Sequence, residues 1–181
     1  MQSNIGAVMA LNPMPIVVVG ARVDGKPNWT EVAHSGIVGM DRIMVSMVKA
    51  HHTNKGIRET GKVSVCLVDE GMLREADIAG VLTGNKDDKS GIMLWHPGAS
   101  GAPIPDRAPV VMECEVYQNV ETEGFDNFIL DIRATWVQDE LLTDGKIDSP
   151  KVGAVLFDGP TYSYVRTGET ICPCTSLAKK S

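Results

Sequence analysis

The 181-residue chain predicts a mainly β fold, a barrel or sandwich with helices inserted between strands. Three observations carry that prediction. Strand-like runs outnumber helical ones, the helical patterns fall between strand pairs, and no G-x-G-x-x-G follows a strand as a doubly wound dinucleotide-binding sheet would require. The length suits one domain, 1–181, with a core at about 13–169 and a short tail at 170–181.

The elements follow in order. "PIVVVGARV" (Pro15 to Val23) reads as a buried strand, and "DGKPN" (Asp24 to Asn28) supplies the turn chemistry of a hairpin. "IMVSMV" (Ile43 to Val48) and "GKVSVCLV" (Gly61 to Val68) are further β-rich runs. Between them "TNKGIRET" is a short helix, with Thr53 as its N-cap and Gly61 just past its end. Gly56 costs that helix about 1 kcal/mol relative to Ala, so packing or a ligand must help to hold it. "MLREADIAGVLT" (Met72 to Thr83) has a helical apolar pattern ending near Gly84, and the Gly- and Pro-rich Trp95 to Pro109 reads as an irregular excursion. "VVMECEVYQNVETE" and "FDNFILDIRATWVQDE" resemble two long strands. In the first, Met112, Cys114 and Val116 alternate with Glu113, Glu115 and Tyr117, which predicts one buried and one wet face. "VGAVLFDGPTYSYV" closes the pattern, and no repeat, low-complexity tract or linker interrupts it.

Composition narrows the function. Hydrophobic residues at 43% and charged residues at 22% are those of a soluble globular protein. A formal net charge of -6 argues against a nucleic-acid duplex or an anionic membrane as the main partner. No apolar run approaches the roughly 18 residues of a membrane span and "MQSNIGAVMALNPMP" lacks the pattern of a secretory leader, so a cytoplasmic location is expected. Of four cysteines, Cys66 and Cys114 sit in apolar runs and read as small buried hydrophobes. Cys172 and Cys174, in "CPC" near the end, read as part of a tail, with a redox or metal role as the other reading.

One stretch gathers donors in this acidic chain: Ser46, Lys49, His51, His52, Thr53, Asn54 and Lys55 lie around the start of the short helix. A helix N-terminus offers unpaired N–H groups and partial positive charge to an anion, and Lys49 with the neutral donors suits a phosphate monoester. The residues alone leave a second reading open, in which Thr53 merely caps the helix and the charges are solvated. Adjacent histidines without a neighbouring Cys, Asp or Glu in a ligand spacing make no metal site. The markers of nucleoside triphosphatases and of nucleophile-elbow hydrolases, G-x-x-x-x-G-K-[ST] and G-x-S-x-G, do not occur.

The order of "PIVVVGARVDGKPNWTEVAH", "RIMVSMVKAHHTNKGIRETGKVSVCLV", "LTGNKDDKSGI", "DNFILDI" and "LTDGKIDSPKVGAVLFDGPTYSYVRTGE" resembles the flavin reductase-like family, in its flavoredoxin-like branch, over about Pro13 to Glu169. The resemblance implies an FMN-binding split β-barrel that works as a homodimer, with flavin sites near the subunit interface. It implies that Ser46, Lys49, Thr53 and Asn54 serve the flavin phosphate and ribityl chain. Groups near Asn28, Trp29 and Thr30, with the backbone of Met47, would border the isoalloxazine, which His34 would approach from the same segment. Lys89, in the Asp88–Lys89 pair, would lie close to the flavin and favour negative charge on the reduced ring. Trp29, Tyr162 and Tyr164 are the candidates for ring stacking. Many family members carry a histidine before the strand matching "FILDI"; this chain reads Gly124-Phe125-Asp126-Asn127, so a nicotinamide-binding role for that histidine does not transfer. The implied activity is an FMN-dependent oxidoreductase passing electrons from NAD(P)H or a ferredoxin-like donor to an unidentified acceptor, the alternative being an FMN store or sensor without turnover. No residue stands out as catalytic.

Overall fold

The run Val17–Val23 (β2) alternates between two interiors: Val17, Val19 and Ala21 face one apolar cluster, while Val18 and the preceding Ile16 face another. A strand buried on both faces must lie between two layers, and the computed structural model, which describes residues 1–178, shows what they are. Asp24 and Gly25 both take positive φ, 50° and 83°, and turn the chain tightly into Lys26–Val32 (β3), antiparallel to β2. The hairpin expected here is present, with β3 starting inside the stretch that the sequence assigns to a turn.

The other elements are β1 (Met14–Pro15), β4 (Ser35–Ile37), β5 (Arg42–Val48), α1 (His52–Thr60), β6 (Lys62–Leu67), α2 (Leu73–Val81), β7 (Trp95–Pro97), β8 (Pro103–Pro105), β9 (Val110–Thr122), β10 (Phe125–Val137), β11 (Leu142–Thr143), β12 (Lys146–Ile147), α3 (Ser149–Val152), β13 (Val155–Asp158) and β14 (Ser163–Arg166). Seven strands make one antiparallel sheet in the order β3-β2-β6-β9-β10-β5-β4. The sheet curls until its two flanks meet: the Ser46 N–H on β5 donates to the His34 carbonyl just after β3 (2.8 Å). The result is a half-closed, split barrel. Its interior holds Val17, Val19, Val45, Met47, Val65, Phe128 and Leu130, with Ile57 of α1 as a plug. A second core lies outside the barrel, where Trp29, Cys66 and Val111 pack against Met72, Ala76 and Ala79 along α2 and against Val155 of the small β1-β13-β14 sheet.

Three expectations change. The N-cap of α1 is His51; Thr53 lies inside the first turn with its hydroxyl turned to another strand, so it does not cap the helix. The Trp95 to Pro109 excursion contains the short hairpin of β7 and β8. The face of β9 expected to be wet is covered at Glu113, which is 1% exposed because the Gly98–Ser100 loop folds over it. The Ser100 N–H and hydroxyl and the Trp136 indole N–H donate to that carboxylate and hold it below the usual carboxylate range despite burial. Cys66 and Cys114 are buried, as their apolar surroundings predict. The tail reaches Ala178 in a short turn (Ser176–Ala178), its last residues, 179–181, lying outside the described ones. Among the described residues, no helix is long and apolar enough to cross a membrane.

Candidate functional site

β3 is a terminal strand of the large sheet, so one edge of its backbone has no strand beside it. α1 begins beside this strand, where Thr53 and His51 reach the Asn28 and Thr30 side chains. The helix forms because Asn54, Ile57 and the flanking residues give it a buried face, and Gly61 ends it in the left-handed region (φ 65°) with its N–H on the Ile57 carbonyl. Gly56 permits the packing: a Cβ there would overlap the Arg22 carbonyl, so the helix rests on β2 at backbone distance.

The start of α1 is electrostatically open. No side chain caps it and no acidic residue lies in its first turn, so the orphan N–H groups and the positive end of the helix dipole lack an anionic partner. Thr53, 1% exposed, donates its hydroxyl to the Asn28 side-chain carbonyl (2.9 Å), which ties the first turn of α1 to β3. Beside that link, Thr30 and His51 are hydrogen-bonded through Oγ1 and Nδ1 (2.9 Å), and His52 Nδ1 meets the Asn85 side-chain carbonyl (3.0 Å). The two histidines therefore diverge. Burial, reinforced by the charge of Lys89, lowers the His51 pKa from its ordinary value.

Lys89 enters from the loop after α2. Its ammonium, 3% exposed, donates to the Trp29 carbonyl on β3 (2.8 Å) and to the Ala79 carbonyl in the last turn of α2 (2.7 Å). A cation at a helix C-terminus is favourably placed, yet burial lowers its pKa to about 8. A cleft of about 370 Å³ opens here, walled by Asn28, His52, Gly84, Asp88 and Lys89. Gly84 shapes it, since a Cβ would run into the Asn28 amide and the His52 side chain.

The remaining expected site residues have different surroundings. Lys49 pairs with Glu121 on β9 (2.7 Å). Asn54 is fully buried, its amide donating to the Val48 carbonyl (3.1 Å) and to Asp126 (2.7 Å), with its own carbonyl unpartnered. Asp126 also receives Arg58 and Asn119, so within the stretch that lacks the histidine of many family members it anchors the loop before α1. Met47 points into the barrel, and the Ser46 backbone N–H donates to the His34 carbonyl. His34 is exposed near Phe125, with ring centroids 6.1 Å apart, beside a second, largely apolar cleft of about 450 Å³ lined by Leu11, Met44 and Phe157. Trp29 is fully buried in the outer core, which removes its indole from ring stacking. Its carbonyl serves the site through Lys89.

The arrangement can do two things chemically: receive a dianionic group at the head of α1, and present main-chain donors and acceptors along the free β3 edge under a buried cation. A flavin-reductase-like domain model matches residues 9–159 of this chain. The chain belongs to the flavin reductase-like family. Within it, the chain is 28% identical to the flavoredoxin of Methanosarcina acetivorans, with a TM-score of 0.94 over 99% of this chain and 98% of that one. It is 30% identical to the flavoredoxin of Desulfovibrio vulgaris (Miyazaki F), with a TM-score of 0.90 over 99% of this chain and 100% of the other. An FMN-binding protein of Thermus thermophilus, solved with p-hydroxybenzaldehyde, shares the fold at 24% identity, TM-score 0.82, over 96% and 97% of the two chains. Comparison with curated proteins finds no match.

The residues that sequence reasoning missed are His51 as a partner of Thr30, Asn85 as a partner of His52, and Asp126 as the anchor beneath Asn54. The basic stretch advertised His51. Nothing in the sequence signalled the pairings, which join positions on different elements.

Proposed function

We propose that this family member is an FMN-dependent oxidoreductase of the flavoredoxin type, taking electrons from NAD(P)H or a ferredoxin-like donor and passing them to an acceptor not yet identified. The observation that carries the reading is the uncapped head of α1 tied by Thr53 to Asn28 at the free β3 edge, with the Lys89 ammonium buried beside it. The donor set fits the cofactor. The first-turn N–H groups and the Lys49 charge suit a phosphate, the Thr53 hydroxyl joining them by turning its one hydrogen from Asn28 to the anion, while the β3 edge at Asn28 to Thr30 and the Met47 backbone suit the polar rim of the isoalloxazine. Ser46 and Asn54 hold the phosphate segment in place, and His34 lies at the far end of the same edge. Bound FMN would supply the redox chemistry; the protein supplies orientation and positive charge. Lys89 retains its proton at neutral pH and stabilises negative charge brought next to it. A homodimer with flavin sites near the interface belongs to this proposal, in the cytoplasm.

The deciding experiment is the visible spectrum of the protein after incubation with excess FMN and desalting. A retained flavin spectrum is expected, with binding weakened roughly 10- to 100-fold by Thr53→Ala, the loss of a charge-assisted hydrogen bond of about 1.5–3 kcal/mol. A colourless protein sinks the cofactor assignment. Bleaching of bound FMN by NADH, NADPH or reduced ferredoxin without oxygen then identifies the donor. No bleaching by any of them leaves an FMN store or sensor in place of the enzyme.

A further inference from the structure

The four cysteines divide into two kinds. Cys66 on β6 and Cys114 on β9 are fully buried; burial pushes the Cys66 thiol far above its ordinary range and the Cys114 thiol up to about 12. Neither presents a thiolate to solvent at neutral pH. Cys172 and Cys174 are both exposed, both free, and separated only by Pro173, beyond the last strand. The chain reverses directly after them: the Ser176 N–H donates to the Pro173 carbonyl (3.2 Å), and Thr175 takes a φ of 66°, a left-handed conformation uncommon for a β-branched residue. The second cysteine thus sits inside a tight turn whose first residue is the proline between the two thiols.

We propose that Cys172 and Cys174 form a surface dithiol–disulfide couple that undergoes exchange with small-molecule disulfides. Geometry permits the bond. Successive Cα atoms lie about 3.8 Å apart, so residues two apart are separated by at most about 7 Å, and any backbone at Pro173 short of full extension brings them within the roughly 4.4–6.8 Å that a disulfide spans. The proline restricts the intervening backbone, which leaves less freedom to lose on closure. A ring enclosing one residue adds almost nothing as a staple of the fold, because loop-closure stabilisation grows with the length of the loop. Small strained and exposed disulfides are instead the readily reduced, exchanging ones.

The reaction balances without another reagent. The thiolate of one cysteine attacks a sulfur of the small disulfide, forming a mixed disulfide and releasing one small thiolate. The thiolate of the other cysteine then attacks the protein sulfur of that bond and releases the second. The protein gives up two protons and two electrons, and the small disulfide becomes two thiols. This assignment is independent of the flavin reading.

The test uses the full-length protein equilibrated, without oxygen, in mixtures of oxidised and reduced glutathione, quenched with an alkylating reagent and read by intact mass and peptide mapping. The wild type is expected to lose two hydrogens with no glutathione attached, the bond mapping to Cys172 and Cys174. Cys172→Ser and Cys174→Ser are each expected to carry one glutathione, and Cys66 and Cys114 to be alkylated only after unfolding. Three results overturn the proposal: a wild type carrying two glutathiones, a wild type that stays reduced where the single variants are modified, or disulfide bonds between chains in place of the internal one. Circular dichroism of the serine variants separates loss of the couple from any change of fold.

Discussion

Gly56 reads in the sequence as a weak point in a short helix, and in the fold it is the residue on which the helix rests. A methyl group there gains about 1 kcal/mol of helix propensity but must push the Arg22 carbonyl aside, and overpacking against backbone costs about 1–3 kcal/mol. Gly56→Ala is therefore expected to lower the melting temperature, by a few degrees; an increase would show that α1 can lift off β2 freely. His51 makes a pH-dependent contribution. Its pKa is lowered on folding, so as pH falls below the unfolded value of about 6.5 the unfolded chain takes up a proton that the folded one refuses, and stability declines towards the folded pKa. His51→Gln should flatten that part of the acid limb of a melting-temperature profile, and an unchanged limb would assign the sensitivity to another group. At this scale the sequence shows residue types but not directions. Thr53 and Asn54 are legible as donors, yet their hydrogen bonds to Asn28 and Asp126 arise only when β3, α1 and β10 pack together.

Between elements, Tyr164 on β14 bridges β3 and α2: its hydroxyl lies 3.1 Å from Glu31 and 2.8 Å from Asp77. A phenol has one hydrogen, so two carboxylates around it are best accommodated when one carries a proton. Burial raises the Glu31 pKa, with the Asp77 charge adding to it, and the second carboxylate oxygen of Glu31, Oε1, is buried without a hydrogen-bond partner. For a carboxyl raised on folding, the folded state holds the proton longer, so its stabilisation is complete below about 4.5 and is lost as pH rises through the folded pKa. Glu31→Gln mimics the protonated form. The variant's melting temperature should exceed that of the wild type by a margin that widens above pH 4.5, about 2–4 °C if relief of the charge is worth about 1 kcal/mol. A margin independent of pH would place the proton elsewhere. The long strands, the hairpin and both longer helices were legible because apolar runs and turn residues mark them. β7 and β8 were not, because Pro97, Pro103 and Pro105 make a short pairing look like a loop.

On the scale of the whole molecule, the proposed homodimer has an edge to use. Ile37 on β4 and the neighbouring Val38 and Met40 are exposed, as are Ile5, Met9 and Leu11 in the N-terminal arm. Light scattering should give about twice the 19.5 kDa chain mass, and Ile37→Asp with Met40→Asp should shift the protein to the single-chain mass. A wild type already at the single-chain mass would remove the dimer. Family and architecture were legible together because motif order is a property of the entire chain. Sheet order was not, since β5 pairs with β10, whose partner residues lie about 80 positions later.

That pairing also governs how the protein emerges from a ribosome. Before Phe125 is synthesised, the hydrogen-bonded strand partner available to β5 is the three-residue β4, while β2, β3 and β6 can already associate. The segment from Ser46 to Asn54, and Asp126 that locks Asn54, come together only once β10 is out of the exit tunnel. Competence for ligand should thus appear late and abruptly during translation, after the first hairpin has long been formed.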